Sequence, residues 1–175
     1  MEEEKKVEIQ QETQDLEQSL NQEELNLKIE ELRLEQNLPF AIIASLGSAI
    51  VMAILWAVIT VVTNYQIGFM AIAVGLFVGF AVNFAGKGID KIYGIIGAAG
   101  ALLGCIFGNF LSQVGFVAQD PEIGLSFFET LKALLSNMPL TIEIMKETFS
   151  PVDLLFYGIA IYEGYRFSFR KIDVN

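Results

Sequence analysis

The sequence predicts an all-α integral membrane protein: about four transmembrane helices packed through small residues, an external amphipathic segment, and an acidic cytoplasmic N-terminal helix or tail. Three observations carry that prediction. Long uncharged apolar runs occupy the middle of the 175-residue chain, and a hydrocarbon core of about 30 Å needs about 20 such residues to cross it as a helix. Charge is segregated, with twelve of the 21 acidic residues among the first thirty-seven. Within the apolar runs, small residues recur every fourth position, the spacing that lets helices approach closely in lipid.

Residues 1–37 are rich in Glu and Gln. At 100° per residue their leucines fall on two sides, Leu16, Leu20, Leu27, Leu34 and Leu38 on one and Leu25, Ile29 and Leu32 on the other, which reads as a helix with two apolar stripes. A coiled-coil arm and a solvated, partly disordered tail compete as readings, because the heptad signal is short. The alternation Leu25-Asn26-Leu27-Lys28-Ile29 also permits a strand, ranked third.

A core of three transmembrane helices covers residues 38–117. The first span is 39–62, with Pro39 at a helix start, where its missing donor costs nothing, and with Trp56 and Tyr65 towards one interface. After the turn Thr63-Asn64-Tyr65-Gln66, the second span is about 67–85. It ends in Gly86-Lys87-Gly88-Ile89-Asp90-Lys91, a tight charged loop, and the third span, about 92–117, follows at once. Residues 118–150 carry too many charges to cross. Phe127, Leu131, Leu134, Leu135 and Met138 recur at helical spacing before Pro139, so one or two amphipathic helices lie on the membrane surface or on the bundle. Ser150, Pro151 and Asp153 then form a strong helix start, opening a fourth span at about 151–169 within a final segment, 151–175, that ends basic.

Composition excludes several functions. A net charge of −10 gives no basic face for nucleic acid. With no histidine and only Cys105, the chain has no intramolecular disulfide, no Cys/His zinc site and no histidine-based catalysis. An acidic stretch before a first apolar run too long for a signal core argues against a cleaved secretory leader. The residues offer no nucleophile with a base and no phosphate loop. No catalytic residue, cofactor or metal ligand is therefore assigned, and an enzyme is not expected.

The small-residue ladders are Ala41, Ser45, Ala49, Ala53 and Ala57 in the first span, Ala71, Gly75 and Gly79 leading to Asn83 in the second, and Gly100, Gly104 and Gly108 beside Asn109 in the third. They suit packing within the chain, a homo-oligomer interface, or a glycine-lined path. Asn83 and Asn109 are candidate polar membrane sites on opposite sides of the bilayer, each otherwise an amide bonded to a neighbouring helix. Glu163 lies inside the fourth span. It is a cation or proton site, or the partner of Arg166 in an (i, i+3) ion pair near the interface. Cys105 reads as a small buried hydrophobe, and Asp90 with Lys87 and Lys91 as a loop polar cluster, with headgroup contact by the lysines ranked second.

The stretch from Asn64 to Gly75 (NYQIGFMAIAVG), followed by Gly86-Lys87-Gly88, Gly94-Ile95-Ile96-Gly97 and the run from Gly104 to Asn109 (GCIFGN), resembles a module of small bacterial multi-spanning membrane proteins that carry no assigned activity. The tail from Asp153 to Tyr165 (DLLFYGIAIYEGY) is similar to the same group. The resemblance covers about residues 40–170 and leaves the acidic N-terminus outside. It implies a bacterial inner-membrane location and transfers no functional residue. A scaffold with membrane lipid, a second copy and a protein bound through residues 1–37 as its partners is the leading expectation; a small channel or transporter is the alternative.

Lys28 and Arg33 precede the first span, Lys87 and Lys91 separate the second and third, and Arg166, Arg170 and Lys171 close the fourth, while the other side holds only Lys132 and Lys146. Positive residues stay inside, so both termini and the Lys87 loop are cytoplasmic. Tags at these three places are expected to resist an external probe, and a tag near Asp120 to be reached. Labelling of the C-terminus from outside intact cells would overturn the orientation.

Overall fold

Helix starts and stops are written locally in this chain. In the computed structural model, which describes residues 2–65 and 68–171 and the side chains of all these except 2–4 and 7–9, seven helices and no strand are found among the described residues. Gln66 and Ile67, expected to close a turn and begin the second span, and the last four residues of the basic end lie outside the described residues. Two compact units separate, one of Met1–Gln36 with Lys171–Asn175 and one of Asn37–Arg170.

In the first unit, α1 (Glu2–Leu34) is a single helix of 33 residues, so the strand suggested by residues 25–29 does not form. At a rise of 1.5 Å per residue it is about 50 Å long. Leu16, Leu20, Leu27 and Leu34 are exposed along it.

The second unit holds α2 (Leu38–Thr63), α3 (Phe69–Gly86), α4 (Lys91–Gln119), α5 (Phe127–Ser136), α6 (Met138–Thr148) and α7 (Pro151–Phe167). Helices α2, α3 and α4 are long and apolar enough to cross a membrane. Asn37 opens α2 by accepting from the Phe40 amide at 3.2 Å, and Asn64 closes it in the left-handed conformation (φ 53°), which asparagine tolerates better than most residues. Ser126 and Glu129 form a reciprocal cap on α5. The Ser126 hydroxyl, and then its amide, donate to Glu129 and hold that carboxyl below the usual carboxylate range.

The break expected at Pro139 falls at Asn137, and the proline sits in the first turn of α6, where its missing donor does no harm. Thr141 Oγ1 donates to Leu134 O at 2.6 Å and fixes the elbow between α5 and α6. Ser150 and Asp153 cap α7 reciprocally: the Ser150 amide donates to Asp153 Oδ2 at 2.8 Å. The helix ends at Phe167 rather than Phe169. Ser168 Oγ turns back to Gly164 O at 2.6 Å while Arg170 N donates to Gly88 O at 2.8 Å, drawing the chain out of helical register.

Helix α4 is central, packing against α2, α3 and α7 and carrying α5 and α6; α2 also packs on α3, and α3 on α7. Side chains point outward in quantity, for example Ile43, Val51 and Phe84. The inward faces are small, with Ala41, Ala71, Val74, Val78, Ala101, Cys105 and Ala160 fully covered. Two ring pairs clasp α3 to α7, Phe69 with Phe156 at 5.2 Å and Phe80 with Phe167 at 4.8 Å between centroids.

The glycines sort by what a side chain would meet. A Cβ at Gly75 would run into the Ala160 carbonyl and lie 2.8 Å from its Cα, whereas at Gly158 it would meet nothing within 4 Å. Gly75→Ala is therefore expected to destabilise the bundle by about 1 to 3 kcal/mol, because backbone cannot rotate aside. Gly158→Ala should be neutral or stabilising. Gly104→Leu, whose Cβ would sit 2.7 Å from Val74 Cγ1, should behave like Gly75→Ala, and Leu103→Ile on the exposed side should be mild. Thermal unfolding in detergent reads all four, and equal tolerance of Gly75→Ala and Gly158→Ala would refute the packing.

Candidate functional site

Helix-packing glycines come first, since they position everything else. Gly75 and Gly79 of α3 face α7: a Cβ at Gly79 would lie 2.8 Å from Phe167 Cβ and 3.2 Å from Glu163 O. Gly100, Gly104 and Gly108 of α4 face α2 and α3, with Ser45 and Val78 at Gly100, Val74 and Ala49 at Gly104, and the Trp56 ring at Gly108. A further contact joins α4 to α7 at Gly97 and Gly164, each lying against the other's carbonyl. All three ladders thus face other helices of the same chain.

Asn83 is half-buried near the end of α3. Its Nδ2 donates to the carbonyls of Phe169 at 2.6 Å and Phe167 at 3.2 Å. Those carbonyls lie at the C-terminus of α7, where a helix leaves acceptors without intrahelical donors, so the amide acts as an external cap. The surrounding backbone reinforces the junction: Asn37 N donates to Gly86 O at 2.9 Å and Arg170 N to Gly88 O. The loop after α3 therefore ties the start of α2 to the end of α7.

Asn109 lies eighteen residues into α4, roughly 27 Å along its axis from the Lys91 end. It is 2 % exposed and donates through Nδ2 to Tyr157 Oη at 3.3 Å. Tyr157 donates in turn to Cys105 O at 3.2 Å, and Gln113 Nε2 donates to Asn109 Oδ1 at 3.5 Å. The two asparagines are not brought together. Gln113 and Tyr157 were not among the residues singled out in the sequence. Gln113 was readable there as the (i, i+4) partner of Asn109 in an apolar run; Tyr157 was not, because its partner lies 48 positions away.

Glu163 is half-buried on α7, and its Oε2 is enclosed with no hydrogen-bond partner. The ion pair expected with Arg166 does not form among the described residues. Arg166 is exposed and its guanidinium stands 5.5 Å from the centre of the Phe167 ring, a cation–π contact that competes for the same side chain. Trp56 Nε1 and Thr60 Oγ1, both on the buried stripe of α2, are also enclosed without partners. Cys105 is buried. Among the described residues no three Cys, Asp or Glu side chains converge on a point that could hold a metal.

Compared with protein-family models, curated proteins and solved structures, the chain matches none of them. The reading of the site rests on its own geometry.

That geometry makes Asn83 and Asn109 interhelical bonds whose removal is measurable. Asn83→Ala leaves two α7 carbonyls without their donor and is expected to cost about 1 to 3 kcal/mol. Asn109→Leu with Tyr157→Phe should show a coupling of about 0.6 kcal/mol in a double-mutant cycle, the usual scale for such pairs in lipid. Both are read by unfolding in detergent. A coupling of zero would dissolve the Asn109–Tyr157 link.

Proposed function

We propose that the protein is a non-enzymatic integral membrane scaffold or interaction protein of the bacterial inner membrane, crossing the bilayer four times with both termini cytoplasmic. The observation that carries this reading is the way the bundle is filled. Its glycine seams are occupied by backbone and side chains of the same chain, Gly75 on Ala160, Gly97 on Gly164 and Gly104 on Val74, which leaves them unavailable as the lining of a path. A helix of 33 residues forms a separate unit with exposed leucines. Such an arrangement suits holding something at the membrane better than moving something through it.

Helix α7 serves as the fourth span in this proposal. Its 17 residues give about 25 Å of helix, slightly short of the hydrocarbon core, a mismatch that local thinning of the bilayer accommodates. Packing on α3 and α4 supports its place among the spans. The cytoplasmic ends follow from the lysine and arginine distribution, and the bacterial inner membrane from the resemblance over about residues 40–170. Because the glycine ladders are used internally, self-association would fall to α1 or to the lipid-facing surface, and a protein partner would dock on residues 1–37.

A small channel or transporter is the second reading. It is favoured by the polar groups inside the bundle, namely the linked Asn109, Gln113 and Tyr157 and the enclosed Glu163 Oε2, because ionisable and polar groups in lipid are costly to keep without a use.

Deletion of residues before Glu35 tests the scaffold. The remaining unit is expected to insert and unfold at an unchanged temperature, while association in the cytoplasm is lost. Degradation of the shortened chain would make α1 part of the fold. Reaction of a Glu163→Cys variant with a water-soluble thiol reagent, in a Cys105→Ala background, would favour transport instead.

A further inference from the structure

Most helical hydroxyls of this chain share one habit. Ser112 Oγ donates to Gly108 O at 2.7 Å, Thr63 Oγ1 to Ile59 O at 2.7 Å and Thr148 Oγ1 to Ile144 O at 2.9 Å, each turning back on the carbonyl four residues earlier. Thr60 breaks the habit, as Thr130 on α5 does. It is fully buried on α2, yet its Oγ1 has no hydrogen-bond partner in the structure. The hydroxyl is turned from its own backbone into the packed side of the helix.

One turn earlier, Trp56 carries a second atom of this kind. Its ring lies against α4 at Gly108, where a Cβ would come within 2.9 Å of Cε3 and 3.1 Å of Cδ2, so the indole has little freedom to turn. Its Nε1 is enclosed without a partner. An indole nitrogen is a donor only, and its direction is fixed by the ring.

Register brings a third group to the same place. Helices α2 and α4 run side by side in one direction, with Ser45 at Gly100, Ala49 at Gly104, Trp56 at Gly108 and Val61 at Gly115. Thr60 is therefore level with Ser112, which is also fully buried. Having donated to Gly108 O, Ser112 Oγ can still accept. A donor without an acceptor, a hydroxyl without a partner and an oxygen with a spare lone pair stand at one level of one seam.

We propose that this level of the seam between α2 and α4 is a binding site for one water molecule, which accepts from Trp56 Nε1 and hydrogen-bonds to the hydroxyls of Thr60 and Ser112. A buried indole N–H and a buried hydroxyl are costly without partners, and inside a packed helical seam bulk solvent cannot supply them. The chemistry of the three groups selects the ligand. A cation gains nothing from a nitrogen that only donates, and an anion finds no basic side chain on α2 or on α4 after Lys91. Trp56, Thr60 and Ser112 are each 1 % exposed or less, and a water with three polar partners is the usual small occupant of such a place. The water would give the C-terminal half of the seam the interhelical hydrogen bonding that Ser45 gives the N-terminal half by donating to Ile96 O at 3.0 Å.

Trp56 is the single tryptophan of the chain, so ultraviolet resonance Raman of the full protein in detergent reads one indole. Its N–H-sensitive band is expected at the hydrogen-bonded position. Thr60→Val keeps the shape and removes the hydroxyl; it should shift the band towards the free N–H position and lower the midpoint of thermal unfolding, because the water loses a partner. Ser112→Ala should shift the band in the same direction from the other helix, which covers the case in which Thr60→Val fails to fold. Thr63→Val, at an exposed position whose hydroxyl bonds to Ile59 O, should leave the band as in the wild type.

A free N–H band in the folded wild type overturns the proposal before any variant is made. An unshifted band in Thr60→Val or Ser112→Ala also overturns it, since the indole would then be bonded elsewhere. So does a higher unfolding midpoint for Thr60→Val, the mark of a hydroxyl that had nothing to bond.

Discussion

Backbone approaching backbone is the constraint on which the rest of this bundle depends. Once apolar helices are set in hydrocarbon, exchanging a lipid contact for a leucine contact gains almost nothing, and association must come from dispersion at short range and from hydrogen bonds. Gly75 against Ala160 and Gly97 against Gly164 supply the short range. With α3 and α7 that close, the Asn83 amide reaches the α7 carbonyls; with α4 and α7 that close, Tyr157 reaches Asn109 and Cys105 O. The polar bonds are consequences of the approach, and would not form across an ordinary leucine-lined seam.

The two ends of the bundle differ in kind. At the end where α2 begins, hydrogen bonds tie three chain segments through the loop after α3, with Asn37 N on Gly86 O and Arg170 N on Gly88 O. Lys87 there adopts a left-handed conformation (φ 48°) uncommon for a side chain with Cβ, held by its amide's bond to Asn83 O. The opposite end is built differently. It carries the amphipathic pair α5 and α6, the enclosed but unpartnered Trp56 Nε1 and Thr60 Oγ1, and a lateral apolar groove between α2, α4 and α5. Backbone hydrogen bonds join the segments at one end, and apolar surface dominates the other.

Most of the helical plan was legible in the sequence because it is written in local chemistry. Pro39, and Ser150 with Pro151 and Asp153, mark helix starts within one turn, and α2, α3, α4 and α7 begin within about two residues of where those signals and the apolar runs placed them, while the equally local caps at Asn37 and at Ser126 with Glu129 were not read. What else escaped was non-local. Nothing near Tyr157 announces a partner on α4, and nothing near Asn83 announces two carbonyls 84 and 86 positions further on. The Glu163–Arg166 pair was a reasonable inference from spacing alone, but spacing could not register that the Phe167 ring offers the guanidinium a competing surface. The ladders were visible as a pattern, while which helix each one faces was not, because spacing within one helix carries no information about its neighbour.

The separation of 84 residues between Asn83 and its first acceptor also bears on how the protein is made. A chain emerging from the ribosome delivers α2, α3 and α4 first, then α5 and α6, and only afterwards α7. Throughout that interval the groove formed by Gly75, Gly79 and Gly97 lies open and the Asn83 amide has no α7 carbonyl to meet. In that order of delivery, the small-residue groove is completed only by the last helix of the bundle. A chain that ended before α7 would expose the surface that the finished bundle hides.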